Sequence, residues 1–348
     1  VFNYNDLKSA KQPYVIAEIG SNHNGDIDLA KRLIDEAKMA GADCVKFQSW
    51  TKDTIFSKSV YESNYFLKDD YRQREDFSLE SIVEAFSVSE SELLTLKTYC
   101  DNVGIDFAST PFSKREADFL VEQLDAKFIK VASMDLSNIP FLRYLAKKGR
   151  PVVLSTGLST LSEVDMAIRT LESCGCNEIV LLHCVSIYPP QDHEVNLNNI
   201  DAYQMLYKYP VGFSDHTIGL IAPIMAMAKG IKVLEKHFTL DKEMFGWDHK
   251  VSADPQELRM ICEAAKRGAQ MLGVPYKVVF ESQERLSAFR RSIVVVRDLP
   301  AGYVLSESDI DYKRPGDGIA PSDWEHVIGR TLKCDVKSDQ KLDWFDLV

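Results

Sequence analysis

The chain has 348 residues, of which 45% are hydrophobic and 27% charged, and its net charge is −11. That length accommodates one large domain and one small one, and the composition is that of an ordinary globular protein. The acidic balance excludes nucleic acid as the main partner and requires any anionic substrate to meet a local cluster of Lys, Arg and backbone N–H groups.

The opening segment VFNYNDLKSAKQPYVIAEIG carries charges before its first apolar run and has no signal-peptide hydrophobic region. The longest apolar stretch, 218–228, is too short for a bilayer span and is broken by Pro223. No membrane partner is therefore expected. Seven Cys is an odd number, so free thiols in a reducing cytoplasm are expected.

From Tyr14 to about Leu272 short apolar runs alternate with helical patterns. The spacing predicts strands at 14–20, 42–48, 104–111, 128–133, 151–157, 179–186, 211–216 and 233–240. Between them lie stretches such as 26–41, with apolar spacing of three and four and a closing Gly, and 89–104, with a Ser cap followed by acid. Continuous apolar strands separated by helices indicate a buried parallel sheet. Eight of them, each ending in polar residues, predict a (β/α)8 TIM barrel over 1–275, with an open doubly wound sheet as the alternative. Residues 50–88 break the rhythm and read as a long loop with helical pieces, a wall over the site or a surface insertion. After a linker at 276–289, the stretch 290–348 has short strands and turn signals at PAG (300–302) and PGDG (315–318). It predicts a small, mostly-β domain.

Chemistry-bearing residues gather at the strand ends. Glu18 closes the first strand, Lys46 and Gln48 share a face of the second, and Thr110 ends the third. Lys130, Ser133 and Asp135 end the fourth, and Ser155 the fifth. Tyr188 follows the sixth, Ser214 and His216 end the seventh, and Glu235 and His237 the eighth. A lysine inside an apolar strand is costly unless it meets an anion, so Lys46 and Lys130 predict a phosphate or carboxylate cradle. The alternative is that each pairs with a barrel carboxylate such as Glu18 or Glu235. A single histidine at a strand end is more often a satisfied structural residue. Two at equivalent ends favour a divalent-metal site made by His216 and His237. A metal beside an anion cradle fits Lewis-acid chemistry on a carbonyl, with Glu18 and Asp135 handling protons or sugar hydroxyls. Condensation of an enol phosphate with an aldehyde, a metal-dependent aldolase and a phosphosugar isomerase all remain open on spacing alone.

Seven motifs, in order along nearly the whole chain, resemble the sialic acid synthase family: IAEIGSNHNGD (16–26), ADCVKFQS (42–49), FASTPF (107–112), LSTGLST (154–160), GFSDHT (212–217), EKHFTLDK (235–242) and KRPGDGIAP (313–321). The family includes N-acetylneuraminate, legionaminate and pseudaminate synthases and a spore-coat polysaccharide branch. The resemblance implies a TIM barrel followed by an antifreeze-like (SAF) domain. It also implies condensation of phosphoenolpyruvate with an open-chain N-acylated hexosamine to a nine-carbon 2-keto acid. It assigns manganese, or magnesium or cobalt, to His216 and His237. It places Lys46, Thr110, Lys130, Ser133, Ser155 and Ser214 around phosphoenolpyruvate, Glu18 near the reacting sugar and Asp248 at its hydroxyls, and it makes Gln48 and Tyr188 positions of the site. Arg314 would enter the site of a partner subunit, which implies a domain-swapped homodimer. A 3-deoxy-sugar-acid synthase acting on a phosphorylated aldose and a catalytically silent carbohydrate-binding protein are the alternatives.

Three segments depart from the family pattern. VASMDLSN (131–138) has Asp135 where a longer carboxylate is frequent, which withdraws the charge by about 1.5 Å. GWDHKVSAD (246–254) carries Trp247 where Pro is frequent, and VSIYPPQDH (185–193) differs from the usual Thr-containing stretch. All three are expected to touch the sugar pocket, so the acceptor sugar is left open.

Overall fold

The computed structural model describes residues 1–63 and 78–348. The part of the expected wall at 64–77 lies outside the described residues. The chain divides into two units, Val1–Gly273 and Val274–Val348.

In the first unit eight parallel strands run in the order β3-β2-β1-β8-β7-β6-β5-β4, so the first and last strands in sequence are neighbours and the sheet curls into a near-closed barrel. They are β1 (Tyr14–Gly20), β2 (Cys44–Ser49), β3 (Asp106–Pro111), β4 (Ile129–Val131), β5 (Val152–Ser155), β6 (Ile179–Cys184), β7 (Val211–Asp215) and β8 (Val233–His237). This is the (β/α)8 architecture with helices between successive strands, and the doubly wound alternative falls. β3 begins later than expected because Gly104, at φ +75°, closes the preceding helix Glu90–Val103. β4 stops at Val131 because Ser133–Asp135 turns into a 3-10 helix.

The interior of the barrel is layered by the two-residue period of the strands. Ile16, Cys44, Ala108, Phe128, Val153, Leu182 and Val233 form an apolar layer. Two residues further along the same strands come Glu18, Lys46, Thr110, Lys130, Ser155, Cys184 and Glu235, all buried. The apolar layer continues into Phe2, Tyr4 and Leu7. The last two lie on a six-residue helix, Tyr4–Ser9, whose first N–H groups are capped by Asn3. One end of the barrel is thus packed with hydrocarbon and the other is polar. The outer helices bury one face each. Ile27–Ala40 is typical, with Asp26 capping its start, Gly41 at φ +97° ending it, and Ala30, Leu33, Ile34 and Ala37 facing inward.

A separate apolar cluster forms the described part of the wall. Trp50, Leu79, Ile82, Val83 and Phe86 pack together with Phe245 and Trp247. Gly25 makes the neighbouring close approach: at φ +77°, a Cβ there would lie 1.9 Å from the Ala85 carbonyl oxygen.

The second unit has its own core, which includes Ile293, Val295, Leu305, Ile319, Val327 and Leu342. β9 (Ser292–Val295) pairs antiparallel with β10 (Ile310–Lys313), and isolated bridges such as Leu299–Val336 add further short pairings. The stretch expected as a linker contains a helix, Gln283–Phe289, capped by Ser282.

Candidate active site

The polar end of the barrel gathers most of the predicted residues. Lys46 Nζ lies 2.7 Å from Glu18 Oε2 and 3.8 Å from Glu235 Oε2, and it donates to Thr110 Oγ1 at 2.8 Å. Lys130 Nζ donates to Ser155 Oγ at 2.7 Å and lies 3.7 Å from Glu235 Oε1. Ser214 Oγ donates to that same Glu235 oxygen at 3.0 Å. The alternative in which each lysine meets a barrel carboxylate is therefore realised. The two ammonium groups are not left uncompensated while they wait for a substrate anion.

Burial pushes the Glu18 carboxyl up to about 7, against the pull of Lys46. Burial lowers Lys130, and the nearby Glu235 only partly offsets it. Glu235 itself is lowered, because Lys130 and Lys46 outweigh its burial. One carboxylate thus stays ionised between the lysines, and the other can gain or lose a proton near neutrality.

The next layer up holds the histidines. Their ring centroids are 5.4 Å apart. His216 Nδ1–H donates to the Val185 carbonyl at 2.7 Å, which leaves the Nε2 lone pair free to bind. His237 Nδ1 is buried with no hydrogen-bond partner and lies 3.7 Å from Asp248 Oδ2. Burial, together with His216 and the lysines, holds His237 well below the usual imidazole range, so it is neutral. A neutral buried imidazole with an orphaned nitrogen, beside one whose second nitrogen is anchored, fits a divalent ion. Among the described residues no group of three or more His, Cys, Asp and Glu is arranged for a metal. The protein would supply two imidazoles and leave the other coordination positions open.

Tyr188 covers this pair, with its ring centroid 4.0 Å from that of His216. Burial raises the Asp248 carboxyl to about 6. Gln48 Nε2 donates to Glu18 Oε1 at 3.0 Å. Ser133 Oγ accepts from Gly157 N at 3.1 Å, and a Cβ on Gly157 would meet Ser186 Oγ at 2.3 Å and Ser133 Oγ at 2.7 Å. Asp135 is not tied to this set by a hydrogen bond; its carboxylate accepts from Asn138 at 2.9 Å. Arg314 belongs to the second unit, where its guanidinium lies 5.2 Å over the Phe289 ring.

Two residues escaped the sequence argument. Cys184 is in the polar layer, 3.5 Å from Ser133 Oγ and 3.9 Å from His216 Nδ1. Burial alone would raise its thiol, but His216, Ser133 and Lys130 together outweigh burial and bring it down to about 7. Counting two residues on from Leu182 along the inward face would have found it. Trp50 donates to Gln48 Oε1 at 3.1 Å, a contact that no strand period reveals.

Comparison with known proteins agrees with this geometry. The NeuB family profile matches residues 33–277 and the SAF domain profile residues 290–348. The chain belongs to the NeuB family. It is an enzyme of the phosphoenolpyruvate-dependent, sialic-acid-synthase type, and the silent binding-protein alternative is set aside. The N,N'-diacetyllegionaminic acid synthase of Legionella pneumophila is 37% identical over 95% of this chain and 93% of its own length. Human N-acetylneuraminate-9-phosphate synthase is 33% identical over 94% and 91%. The crystal structure of N-acetylneuraminic acid synthetase from Leptospira borgpetersenii superposes with a TM-score of 0.69 at 32% identity, covering 79% of this chain and 90% of that one.

Proposed function

We propose that this NeuB-family enzyme condenses phosphoenolpyruvate with an N-acylated hexosamine. C3 of phosphoenolpyruvate forms the new carbon–carbon bond at the sugar aldehyde. Water adds at C2, and inorganic phosphate leaves as the C2–O bond breaks. The product is a nine-carbon 2-keto acid. The observation that carries this reading is the pair Lys46 and Lys130 in one buried polar layer beneath two neighbouring imidazoles.

His216 and His237 would hold a divalent ion, manganese before magnesium or cobalt, which would supply Lewis-acid activation of the carbonyl. The chain's own groups do the rest. Lys46 and Lys130 neutralise the phosphate and the carboxylate, with Thr110, Ser133, Ser155 and Ser214 donating hydroxyl hydrogen bonds. This accelerates the reaction only where those contacts strengthen as phosphate departs. Glu18, with its carboxyl near neutrality, transfers a proton at the sugar end. Asp248, Gln48 and Tyr188 orient the acceptor.

The working form is a domain-swapped homodimer in which the partner subunit's Arg314 completes the acceptor pocket. Exposed apolar residues on the rim support this: Leu158, Ile187, Ile218 and Ile221, the last 76% exposed, offer hydrocarbon that a second copy would cover. The seven free cysteines suit the cytoplasm, and among the described residues no helix is long and apolar enough to cross a membrane.

The deciding experiment is phosphate release from phosphoenolpyruvate with manganese, across N-acetylmannosamine and 2,4-diacetamido-6-deoxy hexoses, with and without EDTA. Release with one of these sugars, lost on chelation, is expected. Release only with a phosphorylated aldose would overturn the acceptor class.

A further inference from the structure

Trp50 lies just after β2 and Trp247 in the loop after β8, and β2 and β8 are the two strands that flank β1. The indoles meet with ring centroids 6.4 Å apart, and Trp247 also packs edge-on against Phe86 at 5.9 Å. Trp50 is only 4% exposed, yet its one polar atom is used: Nε1–H donates to Gln48 Oε1 at 3.1 Å.

An indole N–H can only donate, so it decides which end of a neighbouring amide faces it. With its carbonyl oxygen turned to Trp50, Gln48 must present its NH2 to Glu18, and it does so at 3.0 Å. The flipped amide would set oxygen against carboxylate and NH2 against the indole N–H, leaving both donors without acceptors in a buried place. Lys46 takes the other Glu18 oxygen at 2.7 Å, so the carboxylate is held at both ends. A Cβ placed on Gly20 would lie 3.2 Å from Gln48 Nε2, 3.3 Å from Glu18 Oε1 and 3.7 Å from Asp248 Oδ2. These three polar ends therefore converge on one small space at the end of β1.

We propose that Trp50 is a positioning residue for the acceptor sugar: it orients the Gln48 amide so that Gln48 and Glu18 present a fixed donor–acceptor pair, and Trp247 buttresses the indole. The inference rests on the reading above that Glu18 and Asp248 receive the amino sugar. It gives Trp247 a role behind the pocket wall as the clamp on Trp50. The signal from the wall to Glu18 then passes through two hydrogen bonds rather than through direct contact.

Trp50→Phe keeps the packed ring and deletes the donor. It should raise the acceptor KM about three- to tenfold, the factor that one hydrogen bond is worth, while the KM for phosphoenolpyruvate stays unchanged. Gln48→Ala should do the same, and the double variant should be no worse than Gln48→Ala alone. A ring that only filled space would leave the acceptor KM of Trp50→Phe at the wild-type value, and losses that multiply in the double variant would equally overturn the proposal. A second readout needs no turnover. In protein labelled with 15N-tryptophan, the indole N–H resonance absent from Trp50→Phe should shift in Gln48→Ala, and an unmoved resonance would sink the hydrogen bond itself. If the wild-type protein releases no phosphate with any acceptor, the function proposal fails, and the resonance still decides this one.

Discussion

Asp215 and Lys236 form an ion pair on the strand faces opposite the two site histidines. Lys236 Nζ lies 2.8 Å from Asp215 Oδ2, with side chains 1% and 0% exposed. Each is the chain neighbour of a histidine, and the two are register partners across β7 and β8. Asp215 Oδ1 also accepts from Thr217 N at 2.8 Å, and Lys236 donates to the Thr217 carbonyl. The turn that carries His216 is thereby fastened on both sides, which holds the imidazole spacing against the flexibility usual at a strand end.

Lys236→Met should therefore be costly. It leaves a buried carboxylate without its partner, a loss of about 3–5 kcal/mol. Adding Asp215→Asn removes the orphaned charge and should recover much of that. Guanidinium unfolding of the two variants checks this, and a single variant as stable as the wild type would show that the pair does not hold the turn.

His237→Ala and His216→Ala should each release bound manganese without unfolding the barrel. The free ion is counted by its electron paramagnetic resonance signal, and the fold is followed by circular dichroism. Retention of manganese in His237→Ala would remove that residue from the ligand set, whatever its effect on turnover.

Much of this site was legible because a strand alternates faces every two residues. Ile16 followed by Glu18, Cys44 by Lys46 and Phe128 by Lys130 is a pattern of dry core and polar mouth written along the chain. The lysine–carboxylate pairing was foreseen only as an alternative, because spacing cannot say which inward charges face each other across a barrel. The Trp50–Gln48 bond joins a loop to a strand end and depends on a side-chain rotamer. The contact of Trp50 with Trp247 links positions almost 200 residues apart. The plug made by Tyr4 and Leu7 sits on a helix too short to be stable alone, so local pattern does not announce it.

The second unit carries its own acid sensitivity. Burial alone would raise the Asp309 carboxyl, but the Ser306 hydroxyl at 2.5 Å, the Arg297 guanidinium at 2.7 Å and the Ser306 N–H at 3.0 Å outweigh it and hold it at about 2. A carboxylate held below its unfolded value contributes stability above that value and loses it as pH falls through the folded one. The contribution is thus complete above about pH 4 and fades between about pH 4 and pH 2. Asp309→Asn should lower the melting temperature at pH 7, and the gap to the wild type should shrink as pH approaches 2. A gap that is constant over that range would mean that ionisation of Asp309 is not what stabilises the turn.

The swapped arrangement makes a sharper demand. If Arg314 acts in the site of the other subunit, His237→Ala and Arg314→Ala fall on the same site in a mixed dimer. One site of a heterodimer then carries both lesions and the other carries neither. Co-expression of the two impaired chains should restore about a quarter of the wild-type sites, since half of randomly paired dimers are mixed and each has one intact site. Arg314→Ala alone should raise the acceptor KM more than that for phosphoenolpyruvate, because the anion cradle of Lys46 and Lys130 lies wholly within one barrel. Absence of complementation, with dimers demonstrated by sedimentation, would place Arg314 in its own subunit's site or in none.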